Sequence, residues 1–78
     1  MTNSMKRTIM ECGFFPPSAD FVKQDPRGVE YGYFEVVPTV GENDPSIRVL
    51  KRNRIGILEW ACKFDDQISF GNWARDNT

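Results

Sequence analysis

Four of the ten cations in this chain, Arg48, Lys51, Arg52 and Arg54, fall within seven residues, the densest grouping of one chemistry anywhere in it. Guanidinium and ammonium groups at this spacing can grip phosphates or carboxylates, and Trp60 or the pair Tyr31 and Tyr33 would supply rings for a base or a partner side chain to stack on. The same residue types suit a protein interface, where Tyr, Trp and Arg carry much of the binding energy. The plainer reading is a charged hairpin that keeps a sheet edge soluble. Ten basic against eleven acidic residues give a formal net charge of −1, so no global field draws the chain to nucleic acid and any such binding must be local.

Little else in the sequence can do chemistry. The absence of histidine removes the commonest general acid or base, the commonest transition-metal ligand and every His-based triad. Cys12, in Glu11-Cys12-Gly13, has no specified partner to activate a thiolate. Cys12 and Cys62 are too few for a disulfide framework; two reduced, buried thiols are expected, with a Cys12–Cys62 bridge as the alternative. Asp65-Asp66 could meet a divalent cation with Glu59 or Asp44. Adjacent carboxylates at a strand end point apart, however, and no calcium-loop spacing surrounds them, so a solvated loop or a helix-start charge is expected. The glycines stand singly, as turn and bulge residues do, and form no phosphate loop. The expectation is a chain that is not an enzyme and needs no cofactor or metal.

The elements that position these residues read as one domain over 1–78, frayed at 1–5 and 76–78. Six Phe, two Tyr and two Trp supply enough apolar area for one core. Lys6 to Phe15 reads as a first strand stopped by Pro16-Pro17. Ser18 would cap a short helical turn through Asp20, Phe21 and Val22, ending before Pro26. Asp25-Pro26-Arg27-Gly28 is a turn, followed by a strand from Val29 to Val40. Gly32, Phe34, Val36 and Val40 line one face of that strand and Tyr31, Tyr33, Glu35 and Val37 the other, with Pro38 hinting at an edge or bulge. After the polar loop Gly41–Pro45, Ser46 to Leu50 is a short strand with Ile47 and Val49 opposite Arg48. Lys51-Arg52-Asn53-Arg54 would make the hairpin connection to a strand within Ile55–Phe64, with a bulge between Ile57 and Leu58. A helix there stays open, because Ile55, Leu58 and Cys62 also recur at helical spacing. Ser69 to Arg75 would end the chain as a turn of helix docking Phe70, Trp73 and Ala74. The fold class is α+β or mainly β: a three- to four-stranded antiparallel sheet, open or curled into a small barrel, with one or two short helical turns.

Glu11-Cys12-Gly13-Phe14-Phe15-Pro16-Pro17 is similar to the turn that follows the DNA-reading helix in phage excisionases. Those winged-helix proteins set two helices before that point, and the ten residues preceding it here are read as forming no helical stripe. The resemblance is therefore set aside and assigns no family.

With shape, aromatics and charge as its tools, the chain is expected to be a small binding protein working by protein–protein interaction. Inhibitors that phages or mobile elements direct at a host defence or host enzyme are of this kind, anti-CRISPR-like activity among them. The alternative is a nucleic-acid-binding module using the basic hairpin Arg48–Arg54 and nearby aromatics. A homodimer suits a domain this small. The apolar runs are short and broken by charges, and residues 1–8 lack the apolar stretch of a secretory signal, so the expected location is cytoplasmic, without membrane contact.

Overall fold

The computed structural model describes residues 3–15, 21–38 and 46–77. It is an open four-stranded antiparallel sheet with two helices on one face. The chain runs α1 (Asn3–Glu11), β1 (Phe21–Gln24), a 3-10 turn (Val29–Tyr31), β2 (Tyr33–Pro38), β3 (Ile47–Arg52), β4 (Leu58–Phe64) and α2 (Gln67–Asn77). The strands lie in chain order, β1-β2-β3-β4. The fold class expected from the sequence is therefore present, in its open form.

Period-two alternation builds the sheet. Phe21, Phe34, Val36, Ile47 and Val49 point to the helix side and are buried. There they meet Met5, Ile9 and Phe14 from α1 and its exit, and Phe70 and Ala74 from α2. Phe70 joins the layers, its ring centroid 5.8 Å from Phe14, 5.9 Å from Phe64 and 6.2 Å from Trp73.

The first element is not the expected strand. Met5, Ile9 and Cys12 recur at i, i+4 and i+7, one face of a helix, and Gly13 ends it. With Gly13 at φ 89, its N–H donates to the Met10 carbonyl at 3.0 Å and the Phe14 N–H to the Ile9 carbonyl at 3.2 Å, the paired bonds of a Schellman stop. Phe14 then folds back against Ile9 in the core.

Three other boundaries move. Phe21 and Val22 belong to β1, paired with Val36 and Glu35, rather than to a helical turn; Pro16–Asp20 lie outside the described residues. The strand expected from Val29 begins only at Tyr33, because Gly32 at φ 97 breaks the extended run. Val40 and the loop Gly41–Pro45 lie outside the described residues. Lys51 and Arg52 are part of β3, and the hairpin connection is Asn53–Ile57. The Asn53 side chain accepts from the Ile55 and Ile57 N–H groups at 3.0 Å each and so shapes that turn.

Within Ile55–Phe64 the strand forms rather than a helix, as β4 over Leu58–Phe64. Its register slips where Lys51 pairs with Trp60 but Arg52 with Leu58, so the irregularity falls at Glu59 rather than before Leu58. α2 is longer than expected. Asp66 caps it, accepting from the Ser69 N–H at 2.7 Å and the Ser69 hydroxyl at 3.0 Å, which holds its carboxyl below the usual range. Cys12 and Cys62 are free and half-buried, and burial pushes both thiols up.

Candidate functional site

The basic cluster does not assemble. Lys51 points to the helix side, its side chain only 4% exposed, with Nζ 3.1 Å from Asp25 Oδ2. It also donates to the Tyr31 carbonyl and stands 5.0 Å from the Phe34 ring centroid. Arg52 points the other way and bonds Glu35 Oε2 through Nε at 3.1 Å and the Gly56 carbonyl at 3.1 Å. Arg54 is exposed in the turn, and Arg48 is exposed four residues before Arg52 on β3. A row of four cations at a hairpin tip thus becomes one buried, internally paired ammonium, one paired guanidinium and two separate exposed ones.

Tyr31 and Tyr33 do not share a face. The break at Gly32 leaves Tyr31 in the 3-10 turn, with the Arg27 guanidinium 4.1 Å from its ring centroid, while Tyr33 stands on the outward side of β2. Trp60 faces the helix side, its ring centroid 6.2 Å from Phe34 and 6.1 Å from Trp73.

Lys51, Phe34 and Trp60, with Asp25, Arg27 and Asp76, line a cleft of about 500 Å³ beside the end of α2. At its base Asp25 accepts from the Arg27 backbone N–H at 2.8 Å, from its Nε at 3.1 Å and from its terminal nitrogen at 3.1 Å, besides Lys51. These donors, Arg27 foremost, hold the carboxyl far below the usual range. Its charge is therefore matched within the cleft by those two cations.

The larger feature is the sheet's outward face, which no described element covers. Three rows cross it: Gln24, Tyr33, Arg52 and Leu58; then Val22, Glu35, Leu50 and Ala61; then Val37, Arg48 and Lys63. A solvated antiparallel face ordinarily alternates to polar residues, yet here Val22, Val37, Leu50, Leu58 and Ala61 stand among the charges. Ile55 and Ile57, 70% and 58% exposed, extend the apolar surface around the hairpin end. Alternation in the sequence grouped Tyr33 with Val37 and set Arg48 opposite Ile47 and Val49; that these share a face with Leu50, Ala61 and Lys63 was legible only once strand register was known.

No family model, curated protein or solved structure matches this chain. No described helix is long and apolar enough to cross a membrane. Among the described residues, no three His, Cys, Asp or Glu side chains converge as a metal site would require.

Proposed function

We propose that this is a non-catalytic binding protein of the cytoplasm that presents the outward sheet face to a protein partner, as an inhibitor occluding a host enzyme or defence complex would. The observation that carries the reading is that face: among the described residues both helices stack on the opposite side, leaving Tyr33, Val37 and Leu50 half-exposed and Arg48 exposed on it. An anti-CRISPR-like inhibitor is one form of this function. A nucleic-acid interface has less support, because Lys51 is buried against Asp25 and Arg52 is tied to Glu35, leaving Arg48 and Arg54 apart.

The test is affinity capture from host lysate, with and without nuclease, using the parent chain and two variants. Leu50→Glu puts a charge at the centre of the face and is expected to weaken a stoichiometric, nuclease-resistant partner by at least about tenfold. Ile68→Ser, on the exposed side of α2, is expected to leave capture unchanged. Recovery that nuclease abolishes, or equal capture by Leu50→Glu and the parent, would count against the proposal.

A further inference from the structure

The two edges of the sheet are treated differently. β1 is four residues long, and its outer side is occupied: the Phe15 N–H donates to the Val22 carbonyl at 3.2 Å and the Val22 N–H to the Phe15 carbonyl at 3.0 Å. β4 runs seven residues, the longest of the described strands, and contains no proline. No described strand pairs with its outer side, and Leu58, Glu59, Trp60 and Ala61 are all exposed. Such an edge is a row of unpaired N–H and C=O groups, a template for another strand. The blunting devices here are few, a register shift beside Glu59 and one lysine, Lys63.

We infer that β4 pairs antiparallel with β4 of a second copy of this chain, joining the two sheets edge to edge about a two-fold axis at Ala61. Two-fold pairing sets residues opposite one another reciprocally. About Ala61, Trp60 falls opposite Cys62 of the second copy and Glu59 opposite Lys63, each twice, while the smallest side chain of the strand sits on the axis where like must meet like. An axis one residue on, at Cys62, would instead set Glu59 opposite Asp65, two carboxylates, and one residue back, at Trp60, would leave Glu59 and Lys63 without a charged partner, so the charges favour the Ala61 register over both. The pairing also brings a neighbouring strand to Trp60, which is 41% exposed in the single chain. It leaves the outward face uncovered, and the inference stands independently of what that face binds.

Sedimentation equilibrium of the purified chain, from micromolar to hundreds of micromolar, is expected to show reversible passage from one 9.0 kDa chain to a pair. Lys63→Glu alone and Glu59→Lys alone each place like charges opposite twice per dimer and are expected to raise its dissociation constant about tenfold. The double exchange is expected to restore it, which damage to the fold would not do. Ala61→Cys is expected to cross-link to itself under mild oxidation, while Lys63→Cys, opposite Glu59, is not. A chain monomeric throughout, single charge variants that dimerise like the parent, or equal cross-linking by both cysteines would each overturn the inference.

Discussion

Asp25 holds two cations of unequal consequence. Arg27 is a solvent-side partner, with 63% of its side chain exposed, so water and salt screen the pair and Arg27→Ala should change stability little. Lys51 is buried, so Asp25→Asn strands an ammonium and should cost about 3 kcal/mol, near the low end for a broken buried pair because the cleft admits water. Chemical denaturation of the two variants checks the difference. The pH dependence has a definite sign. The folded carboxyl titrates below its unfolded value of about 3.9, so its contribution is complete above that pH and is lost as pH falls below it. Asp25→Asn should therefore be less sensitive to acid than the parent. Gly32 and Gly56 make a second contrast, both at positive φ. An added Cβ at Gly32 would lie 1.9 Å from the Arg52 carbonyl oxygen, where the two turns meet, whereas at Gly56 it meets nothing. Gly56→Ala should cost about 1–2 kcal/mol in backbone conformation and Gly32→Ala clearly more, as thermal melts will show. None of this was readable beforehand. Asp25 announced only a turn, and a glycine's need for empty space depends on what the fold brings against it.

At the scale of elements, the strands paired by short connections were the legible ones. Alternation in Phe34–Val37 and Ile47–Val49 needs no tertiary knowledge, and turn residues separate the runs. α1 was misread because Thr8, Ile9, Phe14 and Phe15 are strand formers, while the Met5–Ile9–Cys12 stripe is short. Gly13 was the helix-stop signal that could have tipped the balance. α2 was legible through Phe70, Trp73 and Ala74, although its length was not. Asp66→Ala should fray the first turn of α2, seen as faster amide exchange at Ser69, whose N–H the carboxylate accepts. Because that bond lowers the Asp66 titration, the parent should lose the same protection as acid protonates the cap.

Across the whole molecule, one aromatic ring spans every layer. Phe70 is fully buried between the α1 exit, β4 and its own helix, and Phe70→Ala should cost about 3–5 kcal/mol. That is most of what a domain this small commonly has, so circular dichroism at body temperature should show a largely unfolded population. The candidate surface was partly legible: strand period put Tyr33 and Val37 on one face of their strand and Arg48 opposite Ile47 and Val49 in the next, but only the register across four strands gathered them with Leu50 and Lys63. The same register dispersed the basic run, whose spacing in sequence had promised a patch.

The stacking of α1 on α2 has a consequence for synthesis. Each strand pairs with the one made just before it, so the sheet can zip up in the order in which it leaves the ribosome, by contacts close in sequence. α1 emerges before every described strand, yet the helix it packs against is made after all of them. Until Gln67–Asn77 are out, the Met5 and Ile9 stripe has only part of its cover, and a chain halted after β4 would offer that stripe to chaperones and proteases.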